Sequence, residues 1–175
     1  MRRLLKVGPH HRMVVRGFSA EHRREVLEVR EALERIAVMH ACASMPVEAM
    51  DELHTLLRRR KRAVEAEDEA AFIELDELFH LRIAAGTGLR VVPRILTQLR
   101  GFVRVMRVGT VRARGHLATV LAEHRRLLAA IEARDVPYAL RALEDHLHTA
   151  NYPLAADGGG AASLPSQAHG GGSGA

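Results

Sequence analysis

The chain has 175 residues, enough for one sizeable hydrophobic core but not comfortably for two. Its 47% hydrophobic and 27% charged content excludes wholesale disorder. A lone cysteine, Cys42, excludes an intramolecular disulfide, and no apolar run is long enough for a membrane helix. The formal charge of +5 raises nucleic acid as a partner. Almost all of that basic charge is arginine, however, a bias that genome base composition also produces. The basic start Met1-Arg2-Arg3 is followed by no apolar run of the signal-peptide kind, so a cytoplasmic protein without membrane attachment is expected. Eleven histidines are the more unusual number; metal binding, a pH response and no special role are all open.

Along the chain, residues 3–16 carry two short apolar runs, Leu4 to Val7 and Met13 to Val15, around a turn at Gly8-Pro9-His10-His11. This predicts a β-hairpin, which is marginal alone and needs something to pack on. Helical periodicity begins at Ser19, a suitable N-cap. An apolar stripe of Val26, Val29, Leu33, Ile36, Ala37 and His40 then predicts a helix over 20–43, with Cys42 as a small buried residue on it. Pro46 suits the first turn of a second helix bearing Val47, Met50, Leu53, Leu57 and Val64. The run Arg58-Arg59-Arg60-Lys61-Arg62 lies on that helix. Consecutive helical residues fan out on all sides, so a solvated face is expected here, not a groove for nucleic acid.

A third helix is predicted from Glu69 to Ala85, ended by Gly86-Thr87-Gly88, and a fourth from Arg90 to Val108, followed by a Gly- and Arg-rich connection through Gly115. A fifth covers 117–133, and a sixth opens at Asp135-Val136-Pro137 and stops before Pro153. Residues 155–175 are Gly, Ala and Ser with little charge or bulk, which predicts a disordered tail. The fold class is therefore all-α, an antiparallel bundle of about six helices joined by short connections.

The chemistry concentrates on three of these helices. Asp76 and His80 stand one turn apart beside Leu75 and Phe79, an acid and an imidazole able to bind one metal ion. His124 shares a stripe with Leu121, Leu128 and Ile131, and His146 shares one with Ala139, Ala142 and Leu143, so both point inward. His148 should face away from His146, and His116 falls in a polar connection. Neutral imidazoles with a carboxylate suit Zn, Ni, Mn or Fe. On spacing alone, a shared metal site and separately satisfied core histidines both remain open.

Three motifs then carry a family resemblance. Val29-Arg30-Glu31-Ala32-Leu33-Glu34 resembles the V-R-x-x-L-E pattern of the FCD domain, the C-terminal effector domain of the FadR-type branch of GntR-family transcription regulators. Asp76-x-x-Phe79-His80 is similar to its D-x-x-F-H helix. Glu123-His124 through Leu127-Leu128, Ala130-Ile131, Asp135 and Ala139 is similar to its E-H-x-x-L-L-x-A-I-x-x-x-D-x-x-x-A segment, and His146-Leu147 closes the pattern. The resemblance spans about residues 19–150. It implies that Asp76, His80, His124 and His146 hold a divalent metal, with open positions for water or a small carboxylate effector. It also implies that Arg30 reaches the effector, although a plain Arg30–Glu34 salt bridge explains the same pair. Thr87 departs from the Asn common in relatives and leaves one edge of the pocket undefined.

The resemblance further implies a homodimer, and DNA binding through a winged helix-turn-helix placed ahead of this domain. Residues 1–18 match only the end of such a wing, at Pro9-His10-His11-Arg12-Met13-Val14-Val15 and without its glycine. The expected organisation is a wing remnant at 1–18, an FCD-like ligand-binding domain at 19–154 and a tail at 155–175. The expected function is effector sensing and not catalysis. Two alternatives stand beside it: a metal-dependent enzyme on a helical bundle, and a structural dimerisation module with core histidines.

Overall fold

The computed structural model describes residues 5–7, 13–15, 19–107 and 116–156. Strands β1 (Leu5–Val7) and β2 (Met13–Val15) pair antiparallel, with Leu5 opposite Val15 and Val7 opposite Met13, as the two apolar runs predict. Six helices follow: α1 (Ala20–Ser44), α2 (Val47–Glu65), α3 (Glu69–Gly86), α4 (Val91–Arg107), α5 (His116–Glu132) and α6 (Val136–Ala156). The architecture is an all-α bundle. Among the described residues, no helix is long and apolar enough to cross a membrane.

Local chemistry sets the helix ends. Ser19 caps α1 by accepting from the His22 N–H. The α2–α3 and α5–α6 connections share one design. Glu67 and Arg134 take left-handed backbone with φ of 52° and 56°. The next N–H in each case closes the turn, Asp68 onto the Ala63 carbonyl and Asp135 onto that of Ala130. The same two aspartates then cap the following helices, accepting from the N–H groups of Ala71 and Tyr138. These reversals fold α3 back on α2 and α6 back on α5, so Asp76 comes beside α2 and His146 beside His124.

Leu53, Phe72, Phe79, Ile83, Leu127 and Leu143 lead an aliphatic core with two phenylalanines, as the low aromatic content predicts. Burying each contributes roughly 1.5–3 kcal/mol. Cys42 is buried on α1, and burial pushes its thiol pKa up.

Several expectations need correction. On α1, Val29, Ile36 and His40 are exposed, and the inward face is Arg30, Glu34, Ala37, Val38 and Ala41. The apolar pattern misleads because this helix turns a charged edge into the bundle, where opposite charges meet it. On α2, Val47 is likewise exposed, and Ala49, Leu53, Leu57, Arg60 and Ala63 face inward. Helix α5 begins at His116 itself, not after it. Helix α6 continues through Pro153 to Ala156. One missing N–H near a helix end deletes one backbone bond without ending the helix. The connection at 108–115 and the predicted tail beyond Ala156 lie outside the described residues.

Candidate metal centre

Three imidazoles meet at the centre of the bundle. His80 from α3, His124 from α5 and His146 from α6 are all buried. Their Nε2 atoms form a triangle with sides of 3.0, 3.0 and 3.1 Å. Asp76, one turn before His80, places Oδ1 3.7 Å from His124 Nε2. One donor atom from each of the four residues lies within 4.8 Å of all the others. The structure thus brings together the four residues singled out by spacing and resemblance. His148 is exposed, as expected.

Carboxylates stand at the outer ring nitrogens of two of the three imidazoles, while His124 Nδ1 is buried with no hydrogen-bond partner among the described residues. Glu34 Oε2 on α1 lies 2.9 Å from His80 Nδ1. Glu123 Oε2 on α5 lies 3.2 Å from His146 Nδ1. A carboxylate at Nδ1 selects the Nδ1–H form and leaves the Nε2 lone pair pointing inward. Two such lone pairs, on His80 and His146, then face each other at 3.0 Å. That arrangement is repulsive unless a cation or a shared proton lies between them, and one proton cannot serve three nitrogens. A divalent cation serves all three. The donor spacing agrees: metal–nitrogen bonds of about 2.1 Å put donors roughly 3.0 Å apart at a right angle and roughly 3.4 Å apart at the tetrahedral angle. The residues present therefore fit a metal ion, with carboxylates orienting two of the imidazoles as is usual in such sites.

Glu34 has a second partner. Arg30 Nε, one turn earlier on α1, donates to Glu34 Oε1 at 2.6 Å, and both side chains are buried. The salt bridge that explained Arg30 most simply is present. Burial by itself would raise the Glu34 pKa, but Arg30 and His80 outweigh it and hold the carboxyl well below the usual carboxylate range. Burial likewise opposes the Arg30 charge, and Glu34 and Asp76 more than offset it. Burial raises the pKa of Glu123.

Beside this pair, a cavity of about 20 Å³ lies against His80, Leu96, Leu99 and Val103. Arg30 and Glu77 also line it, and Arg30 Nη1 and Glu77 Oε1 are buried without a hydrogen-bond partner among the described residues. Arg100, 29% exposed, covers the site from α4 by donating from Nε to Glu77 Oε2 at 2.7 Å. The space admits a water-sized guest as it stands.

Sequence reasoning missed Glu123, Glu77, Arg100 and Arg60. Arg60 belongs to the basic run expected to be solvated, and there the expectation is wrong. Arg58, Arg59, Lys61 and Arg62 are exposed, whereas Arg60 is fully buried and donates from Nη2 to Asp76 Oδ1 at 3.0 Å. Its position was a readable signal: Leu53, Leu57 and Arg60 follow at spacings of four and three on one apolar stripe.

Fold and site together define a helical domain with a buried, donor-rich centre. The chain belongs to the FCD-domain family, whose model matches residues 25–149. Among solved structures it is similar to E. coli McbR/YncC, at 22% identity and a TM-score of 0.76 over 87% of this chain and 73% of that one. Streptococcus agalactiae GntR is similar at 17% identity and a TM-score of 0.63, over 85% and 74% of the two chains. A GntR-family transcriptional regulator from Pseudomonas syringae is similar at 21% identity and a TM-score of 0.57, over 86% and 62%. At these identities the likeness concerns the fold alone. No curated protein matches the chain.

Proposed function

We propose that this domain senses a small organic acid through a divalent metal held by Asp76, His80, His124 and His146. The observation that carries the proposal is the convergence of three buried Nε2 atoms 3.0–3.1 Å apart beside the Asp76 carboxylate, with further carboxylates near the opposite ring nitrogens of His80 and His146. The right-angled donor spacing favours a six-coordinate ion such as Ni, Mn, Fe or an expanded Zn site. Four protein donors leave coordination positions for a carboxylate. Arg30 lines the adjoining cavity and keeps Nη1 without a partner among the described residues, a charged donor suited to a carboxylate. Each carboxylate around the centre stands in an ion pair, Glu34 with Arg30 and His80, Glu123 with His146, Asp76 with Arg60 and Glu77 with Arg100, which supports a sensor over a hydrolase.

Calorimetry with a panel of mono-, di- and hydroxycarboxylates tests this reading. At least one acid binds the metal-loaded protein at least tenfold more tightly than the metal-free protein. Equal affinity of every acid for the two forms would overturn it.

The output of the domain is proposed to be dimer geometry in a cytoplasmic DNA-binding regulator, with the β1–β2 hairpin as the end of a wing. Helix α1 is the natural link. Its inner face carries Arg30 and Glu34, and its outer face exposes Val29, Ala32, Ile36, Met39 and Ala43 at alternating spacings of three and four. Val29, Ile36 and Met39 are 49, 42 and 48% exposed. This is the seam pattern of packed helix pairs. A two-fold dimer uses the same face on both copies, and an apolar helix seam of this kind can pack against its own copy. Sedimentation velocity checks it: Ile36→Glu raises the dimer dissociation constant more than tenfold, while Val47→Glu, at an exposed apolar site off the seam, does not.

A further inference from the structure

Arg60 is an expensive residue in its position. It occupies a slot of the α2 apolar stripe, shows 0% exposure, and lies among residues that bury aliphatic and aromatic groups. Holding a guanidinium there costs several kcal/mol unless its charge is matched. The match is Asp76: Arg60 Nη2 donates to Oδ1 at 3.0 Å. The guanidinium also lies over the Phe72 ring, with Cζ 4.2 Å from the ring centroid. Arg60 is thus clamped on one side by an aromatic face and on the other by the only carboxylate of the four-residue donor group.

That geometry constrains how Asp76 can present itself. A carboxylate whose Oδ1 accepts from a fixed guanidinium cannot swing freely to offer both oxygens to a cation. Repulsion between Arg60 and a cation is offset by the Asp76 charge between them, so orientation decides the sign of the effect.

We infer that Arg60 is a positioning residue for the metal centre: it pins the Asp76 carboxylate as a one-oxygen ligand and so keeps coordination positions open for an exogenous acid. This inference rests on the proposed metal site, and its test separates the two. Co(II) serves as the probe, because its visible absorption reports coordination number and ligand geometry. Wild-type protein is titrated with Co(II), alongside Arg60→Met and Arg60→Lys, and folding of each variant is checked by circular dichroism.

Wild type takes up one Co(II) per chain. Arg60→Met binds it roughly 10–100-fold more weakly, as expected when an orienting partner is lost, and its absorption band moves. Arg60→Lys keeps the charge but not the fork; it recovers part of the affinity and shows a displaced band. If Arg60→Met fails to fold, Arg60→Lys decides the question. A merely structural arginine lowers thermal stability and leaves the Co(II) band where it is. Unchanged affinity and an unchanged band in the folded variants overturn the positioning role alone. A wild-type protein that takes up no Co(II) overturns the metal site itself.

Discussion

Saturating divalent metal raises the melting temperature of the wild-type protein by roughly 10 °C and leaves that of His124→Ala unmoved. The size follows from linkage. A ligand present at a hundred times its dissociation constant adds about 2.7 kcal/mol to stability when the unfolded chain does not bind it. In a domain of this size that is a shift of several degrees to roughly 10 °C. His124 is the informative position because it is fully buried, lies within 3.0–3.1 Å of both other imidazoles, and packs at a tilt against Phe79 with ring centroids 4.6 Å apart. Truncating it opens a cavity and lowers the baseline stability, so the quantity to compare is the difference with and without metal in each protein. Differential scanning fluorimetry in chelator and in excess metal gives that difference. A variant that retains the full metal-dependent shift contradicts the site.

Glu34→Gln is expected to do two separable things. It removes the charge that matches buried Arg30, which costs about 3–5 kcal/mol when one partner of a buried pair is lost. It also removes the carboxylate 2.9 Å from His80 Nδ1, which weakens metal binding by roughly tenfold or more. The double variant Arg30→Met/Glu34→Leu separates these effects. Replacing a whole buried ion pair by apolar residues is often neutral for stability, so the double variant melts closer to wild type than Glu34→Gln does. Its metal affinity stays low, because His80 still lacks its orienting carboxylate. Recovery of both properties would show that Glu34 serves only Arg30.

The sequence made the helices and the donor set legible for the same physical reason. On α3, α5 and α6 the ligands sit inside apolar stripes, Leu75 and Phe79 beside Asp76 and His80, Leu121 and Leu128 beside His124, Leu143 beside His146, so hydrophobic periodicity points them inward. On α1 and α2 the same logic fails. There the bundle takes in charge: Arg30 and Glu34 turn inward while Val29, Ile36 and Met39 remain outside, and Arg60 disappears into the core from the middle of a basic run. A rule that sorts residues by polarity cannot see that opposite charges on three different helices compensate one another. Glu123 was hidden for a related reason. Its partner, His146, is 23 residues away, and nothing local marks the pairing. The helix breaks before Glu69 and at Asp135 were legible from the lapse in periodicity, although the left-handed positions there, Glu67 and Arg134, are not glycines.

The central claim is that one cation joins α3, α5 and α6 at the middle of the bundle. Anomalous X-ray diffraction at the absorption edge of a bound metal tests it most directly. One peak is predicted per chain, within bonding distance of Nε2 of His80, His124 and His146 and of an Asp76 carboxylate oxygen. A metal bound elsewhere, or a centre in which the three imidazoles close on one another through protons or water, would contradict it.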